Sequence, residues 1–184
     1  MPEPAGAPVD PSLDPILTPA AYQAHLLAAL GDDDPAEAQA GTPARLRAVV
    51  AEAGDLLRVR PEPAEWSVLE CLDHIVDGEL MSSARYRWIV AQDEPDLVGY
   101  DQDLWVDRLH AGEDPDVLLA LFDALRRANL DLWARIPVAD RARRGMHRER
   151  GPESYDLTFR LLAGHDRIHL EQARNTLAAI RRTR

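Results

Sequence analysis

The chain has 184 residues, which favours a single domain large enough to bury a core without disulfides. A net charge of −11 argues against nucleic acid as a partner, and the lack of any apolar run of about 18 residues argues against a membrane span. All 21 basic residues are arginine, so Schiff-base catalysis by lysine is excluded, and no glycine-rich phosphate-binding motif occurs. With Cys71 as the single cysteine and no secretory signal, a cytoplasmic location is expected.

Helix start and stop signals divide the chain into five helical segments. Residues 1–17 are rich in Pro, Ala and acidic residues and predict a flexible arm, so that residues 18–184 form the single domain. A Ser67–Glu70 capping box and Ser154 mark two helix starts, and a capping residue followed by proline marks the other three. The predicted helices span about 19–30, 43–58, 67–92, 115–135 and 155–181.

The segments between these helices carry little regular pattern. Residues 93–113 form an acidic linker that is longer than most loops, and residues 144–153 predict a small hairpin. The apolar stripe of the fourth helix is predicted to comprise Leu118, Leu121, Phe122, Leu125 and Leu132. The second to fifth helices suit an antiparallel four-helix bundle, so we predict an all-α fold with the first helix packed outside it.

Three histidines predict a metal centre. His165 and His169 are four residues apart, so they project from one face of the fifth helix, inside an otherwise apolar stripe. A pair of hydrogen-bonded core histidines would explain these two alone. His74 on the third helix completes a three-nitrogen set if the two helices are neighbours, and three protein ligands with an open position are typical of a catalytic metal.

Several polar residues accompany the predicted centre. Glu70, Asp77 and Gln172 are predicted to orient the imidazoles, with helix-surface polarity as the alternative. Tyr100 and Asp101, in the acidic linker, are expected to wall a substrate cleft.

His147 and Cys71 are the remaining candidates near the predicted centre. For His147 an exposed loop position is the simpler expectation, and a general base or fourth ligand is the alternative. Cys71 is expected to be a buried thiol rather than a ligand or nucleophile.

Arginine is concentrated towards the end of the chain. Residues 141–184 contain eleven Arg and five acidic residues, and the densest part is 141–150. A solvated loop and helix end is one interpretation, and a site for the acidic groups of a small ligand is the other.

The sequence resembles the DinB-like superfamily in the order and spacing of its motifs over about residues 43–181. The matching stretches are Trp66-Ser67, Leu72-Asp73-His74-Ile75-Val76-Asp77-Gly78-Glu79, Gly99-Tyr100-Asp101 with Trp105, and His165-Asp166-Arg167-Ile168-His169-Leu170-Glu171-Gln172. The resemblance implies a four-helix bundle that is commonly dimeric, with nickel, zinc or a similar divalent ion on His74, His165 and His169. It also implies a small-molecule substrate, because relatives include metal-dependent hydrolases and transferases that use thiols such as bacillithiol and mycothiol.

Two other functions are consistent with the histidines. The stretch His165-Asp166-Arg167-Ile168-His169 is similar to the HExxH helix of metalloproteases, but Asp is one methylene shorter than the usual base and no further ligand follows Glu171. A metalloprotease is therefore rejected. A non-catalytic metal- or small-molecule-binding stress-response protein would show the same three histidines, and only turnover separates it from an enzyme.

Overall fold

The protein is mainly α-helical over the residues that the computed structural model describes, 18–109 and 112–183. The helices are α1 (Pro19–Leu30), α2 (Pro35–Ala40), α3 (Thr42–Ala53), α4 (Val68–Ala91), α5 (Gln102–Leu109), α6 (Pro115–Arg135) and α7 (Tyr155–Arg182). The strands are β1 (Asp96–Leu97), β2 (Arg144–His147) and β3 (Gly151–Ser154). The predicted arm, 1–17, lies outside the described residues. None of the described helices is long and apolar enough to cross a membrane.

Helices α3, α4, α6 and α7 form the four-helix bundle, with α4 packed most extensively on α7. The main core lies between these helices and includes Leu46, Val49, Leu72, Ile75, Phe122, Leu170 and Leu177. Helix α1 packs along the outside of α7. The predicted all-α bundle with an extra N-terminal helix is confirmed.

Helix capping agrees with the sequence at α4, and differs at α3. Ser67 Oγ accepts the Glu70 N–H at 3.3 Å while a Glu70 carboxylate oxygen accepts the Ser67 N–H at 2.7 Å, so the predicted capping box is confirmed. Thr42, predicted as a cap, is instead the first residue of α3, because Gly41 occupies the cap position. The Thr42 hydroxyl donates to Asp166 on α7.

The second predicted helix is shorter than expected. Helix α3 ends at Ala53 because Gly54 adopts a φ of 49°, which a glycine tolerates, and a single 3₁₀ turn over Gly54–Leu56 follows. The short helix α2 before it was not predicted, since six residues carry too little periodicity.

The predicted hairpin is confirmed, and it belongs to a small three-stranded sheet. Strands β2 and β3 pair antiparallel with Gly145 opposite Glu153, and β1 pairs parallel to β2 with Asp96 opposite Met146. Strand β1 and helix α5 both lie in the segment predicted as an acidic linker, so that prediction was wrong about its structure. A two-residue strand has no sequence period by which it can be recognised.

The inner face of α6 differs from the predicted apolar stripe. Leu121 is exposed, whereas Arg126, Asn129 and Trp133 are buried. The buried face therefore contains a cation and an amide. A prediction that counts only apolar residues misses both.

Candidate metal centre

The structure brings the three predicted histidines together between α4 and α7. The Nε2 atom of His74 lies 2.8 Å from Nε2 of His165 and 3.2 Å from Nε2 of His169. His74 and His165 are buried and His169 is partly buried. Among the described residues, these three histidines are the cluster of potential metal ligands, because their nitrogen atoms lie close enough together to bind one ion.

The local sequence explains this convergence. Four-residue spacing places His165 and His169 one turn apart on α7, and α4 lies against that face with His74 directed towards it. Gly78, one turn after His74, leaves room for His165, since a Cβ at Gly78 would lie 3.0 Å from His165 Cε1. Trp66 also packs against the cluster, with its ring centroid 5.1 Å from that of His74.

The donor set fits a metal ion better than it fits hydrogen bonds alone. A ring nitrogen has one in-plane site, occupied by either a proton or a lone pair, so Nε2 of His74 cannot form good hydrogen bonds to both neighbours at once. Nitrogens about 2.0–2.1 Å from one ion would lie about 2.9 Å apart at octahedral angles and about 3.4 Å apart at tetrahedral angles. The observed separations of 2.8 and 3.2 Å are close to this range.

Gln172 sets the tautomer of His169. Its Oε1 atom lies 2.7 Å from His169 Nδ1, and a carbonyl oxygen can only accept, so the Nδ1 atom carries the proton. The lone pair of that imidazole is then on Nε2, directed at the other two histidines. The predicted orienting role of Gln172 therefore has a direct contact to support it.

Burial keeps these imidazoles neutral, the form that binds metals. Burial lowers the pKa of His165 well below its ordinary value, and the nearby His169 lowers it further. Burial likewise lowers the pKa of His169, against an opposing contribution from the Gln172 hydrogen bond. The lone pairs are thus available at neutral pH.

A buried ionic network fixes α7 behind the histidines. The Arg126 guanidinium donates to Glu79 on α4 and to Asp166 on α7, each at 2.7 Å, and all three side chains are almost fully buried. Thr42 and Asn129 donate to the same two carboxylates, Thr42 to Asp166 and Asn129 to Glu79. Because Asp166 adjoins His165, this network holds the register of the helix that carries two of the three imidazoles.

The other two residues predicted to orient the imidazoles have different surroundings. Within the described residues, the hydrogen bonds of the Glu70 carboxylate go to Ser67 and Arg60, so Glu70 caps α4. Asp77 is buried three residues after His74, and its charge contributes to raising the pKa of Tyr100.

The predicted cleft residues divide between the site and the fold. Tyr100 lines a cavity of about 100 Å³ that His74 and His165 also line. Asp101 is exposed, and its carboxylate accepts the Leu104 N–H at the start of α5. Asp101 is thus a helix cap in the structure.

His147 and Cys71 are both buried. The expectation of an exposed loop position for His147 was wrong, because the residue lies inward on β2, where its Nδ1 accepts the Glu149 N–H at 3.3 Å. Burial lowers its pKa to about 4, helped by Arg150 and Arg85. Cys71 lies in the main core, and burial raises the pKa of its thiol, in keeping with an inert residue.

The arginine-rich stretch is mostly committed to the fold. Arg141 lies 3.8 Å over the Trp133 ring, Arg143 donates to backbone carbonyls at the end of α4, and Arg144 pairs with Glu94. Of the five arginines between residues 141 and 150, Arg150 is the one that lines the cavity beside the histidines, and it pairs with the buried Glu153. The arginine-rich stretch is therefore not fully solvated, and its arginines do not share one anion site.

The cavity is also lined by residues that the sequence analysis did not single out. They include Tyr22, Ser82, Arg85 and Glu149. A signal for two of them exists in the sequence, because Ser82 and Arg85 follow His74 by eight and eleven residues, which returns to the same helix face. Tyr22 and Glu149 come from distant segments, and only the tertiary fold brings them here.

Comparisons with known proteins identify the family of this chain. A family model described as the DinB superfamily matches residues 38–173. A "Putative metal-dependent hydrolase" of Bacillus cereus (strain B4264) is 24% identical over 104 residues, which cover 56% of this chain and 60% of that protein. A protein of the same description from Bacillus mycoides (strain KBAB4) is 25% identical over the same coverage. The chain thus spans about three-fifths of the length of these curated relatives.

A solved structure shares the fold. YfiT from Bacillus subtilis, described as "a probable metal-dependent hydrolase with an unusual four-helix bundle topology", superimposes with a TM-score of 0.72 at 19% identity. The superposition covers 81% of this chain and 85% of YfiT. From the family match, the helical bundle and the clustered histidines, the chain belongs to the DinB superfamily.

Proposed function

We propose that the protein is a metal-dependent hydrolase that acts on a small molecule, with one divalent transition-metal ion held by His74, His165 and His169. The observation that carries the proposal is the convergence of three imidazole nitrogens on one point, beside a cavity that His74 and His165 line. The names of the curated relatives support the same reaction class.

The donor atoms narrow the choice of metal. Imidazole nitrogen suits zinc, nickel, copper and iron, whereas magnesium and calcium prefer oxygen ligands. We propose zinc or nickel as the resident ion. When bound, such an ion lowers the pKa of a coordinated water or thiol and polarises a substrate carbonyl.

The surrounding residues keep the site prepared for the ion. Gln172 holds the proton of His169 on Nδ1, Gly78 leaves space for the His165 ring, and the Arg126 network fixes the helix that carries both imidazoles. His74 and His165 line the cavity, so a substrate approaches the centre from there.

We take water as the nucleophile, because the curated relatives are described as hydrolases. The cavity of about 100 Å³ beside the histidines opens to solvent, so its size does not decide between water and a larger thiol. Thiol transfer, which the family resemblance also implies, is therefore the outcome against which hydrolysis is tested.

Turnover by metal-reconstituted protein tests this proposal. Small esters, amides and lactones are assayed with zinc- or nickel-loaded protein, with chelator-treated protein, and with His165→Gln, in the presence and absence of low-molecular-weight thiols. We expect hydrolysis that requires the metal, is lost in His165→Gln and does not need a thiol. Reaction only with thiol would indicate a transferase, and metal binding without any turnover would indicate the non-catalytic alternative.

A further inference from the structure

Arg85 stands out among the charged residues around the cavity, because it is buried without a partner of opposite charge. Its side chain is 8% exposed, and within residues 18–109 and 112–183 it forms no ion pair. Its Nη2 atom donates to the Val98 carbonyl at 2.8 Å, while its Nε atom is buried without a hydrogen-bond partner in the part of the chain described. Burying a guanidinium without a counter-charge destabilises the folded protein unless an anion binds to it.

The position of Arg85 connects it to the metal centre. His74, Gly78, Ser82 and Arg85 all line the cavity from one face of α4. The Cα atoms of His74 and Arg85 are about 16 Å apart along the helix at 1.5 Å per residue, and a helical side chain leans towards the N-terminus, so Arg85 reaches back towards His74. A ligand that contacts both ends carries its anionic group several bonds away from the reacting atom.

The other charged residues around the cavity form no ion pair with Arg85 among the described residues, and the charge of Glu153 only partly offsets the effects of burial and of Arg150 on the pKa of the guanidinium. Arg150 lines the cavity too, but it forms a two-point ion pair with Glu153, whose carboxylate also accepts from Gln23. Glu149 is the acidic residue of the lining, and its carboxylate lies against Gly99. It would repel a dianion more strongly than a monoanion, which favours a carboxylate over a phosphate.

We propose that this cavity binds the carboxylate of a small substrate on Arg85, with the rest of the substrate extending towards His74 and His165. The phenol groups of Tyr22 and Tyr100 line the same cavity and retain their protons, because burial raises the pKa of both. They supply neutral hydrogen-bond donors beside the guanidinium. A carboxylate-bearing small molecule is then the substrate class of the proposed hydrolase. Only the placement of the reacting end at the metal rests on that proposed function.

Binding of propionate to metal-free protein tests the site without the metal. Metal-free full-length protein, checked by elemental analysis, is titrated with propionate, with the uncharged isostere propionamide and with inorganic phosphate, while the Arg85 Nε–H resonance is followed by NMR. We expect propionate to shift this resonance and to bind about tenfold or more tightly than propionamide, because a charge-assisted hydrogen bond is lost in the amide. Absence of propionate binding, or tighter binding of phosphate, would overturn the assignment to a carboxylate.

Two variants with the same change in charge distinguish a direct contact of propionate with Arg85 from a general effect of the protein's net charge. Arg85→Gln should weaken propionate binding about tenfold or more. Arg160→Gln changes a partly exposed arginine on α7 that pairs with Asp156, and it should leave propionate binding unchanged. If Arg85→Gln does not fold, Arg85→Lys and the parent protein's Nε–H resonance still decide the question. Equal propionate binding by Arg85→Gln and the parent would contradict the inference. A defective metal centre would leave this binding intact, so the two proposals fail separately.

Discussion

At the scale of single residues, the contact between Gln172 and His169 links one side chain to metal affinity. The Gln172 carbonyl oxygen accepts the Nδ1 proton of His169 at 2.7 Å and so directs the lone pair of Nε2 at the other two histidines. Without this acceptor the ring is free to change tautomer or rotate. Residues of this kind affect metal binding without touching the ion.

Gln172→Ala is expected to weaken metal binding by about 10- to 100-fold, the usual effect of removing a partner of a ligating histidine. Competition titration against a chelating dye measures the change. Gln172→Glu keeps an acceptor at the same position and should retain most of the affinity. Asn175→Ala, on the same helix, is the control. An unchanged affinity in Gln172→Ala would mean that the amide does not orient the imidazole.

The sequence was sufficient to predict the histidines but not the cavity around them. Four-residue spacing identifies His165 and His169 as neighbours, and His74 on the third helix was predicted to complete the set if the two helices were adjacent. Arg85 was not predicted, because a lone arginine on a helix usually indicates a solvated face. Its burial depends on α5 and the loop before it, which cover that end of α4, and this segment carried no clear pattern.

At the scale of elements, the approach of α1 to α7 depends on one glycine. A Cβ at Gly164 would lie 1.9 Å from the Leu26 carbonyl oxygen, so the two helix backbones touch at this position. The contact lies one residue before His165, and it fixes α1 over the part of α7 that carries the centre.

Gly164→Ala should therefore displace α1 and destabilise the fold by about 1–3 kcal/mol or more, as overpacking of a tight contact does. Denaturant unfolding measures the free energy. Gly41→Ala is the matched control, since a Cβ there would meet its nearest atom at 3.6 Å. Equal stability of the two variants would contradict the close approach.

The buried network around Arg126 makes a second prediction at this scale. Arg126→Met leaves the Glu79 and Asp166 carboxylates buried without their cation, and should cost about 3–5 kcal/mol near neutral pH. Burial already raises the pKa of Glu79, and loss of Arg126, which lowers it, should raise it further.

The sign of the pH dependence follows from proton binding. A carboxyl whose folded pKa lies above its unfolded pKa binds more protons in the folded state, so its contribution to stability falls as pH rises. The deficit of Arg126→Met should therefore be smaller at about pH 5 than at about pH 7. Denaturant unfolding at both values measures it, with the exposed neighbour in Arg127→Met as control. A deficit that does not change with pH would argue against the buried carboxylates as its cause.

The elements differ in how far the sequence determines them. Helix α4 was predicted closely because Ser67 and Glu70 cap it in their own segment. Strand β1 was missed because its two residues form a strand only through pairing with β2, which lies far away in the sequence. Arg126 and Asn129 were missed on α6 because polar residues are buried there only by partners from α4 and α7.

At the scale of the whole molecule, the family resemblance predicts a homodimer. Light scattering of the purified protein should give about twice the 20.5 kDa of the chain over working concentrations. The mass should not change when the metal is removed, because the three histidines lie inside one chain's helical bundle. A monomer mass at all concentrations would remove this prediction while leaving the metal centre as proposed.

We propose that His74, His165 and His169 hold one metal ion. The most direct test compares the parent protein with His169→Ala and His147→Ala, by metal content and by the rise in melting temperature that added zinc or nickel produces. Binding to the folded state stabilises it by about 2.7 kcal/mol when free metal is a hundredfold above the dissociation constant. His147 is a buried histidine outside the cluster, which makes it the matched control.

We expect one ion per chain and a metal-dependent rise in melting temperature in the parent and in His147→Ala, and we expect both to be lost in His169→Ala. The apo form of His169→Ala should still fold, since Ala favours the helix. An undiminished rise in His169→Ala, equal loss in both variants, or no metal in the reconstituted parent would contradict the assignment.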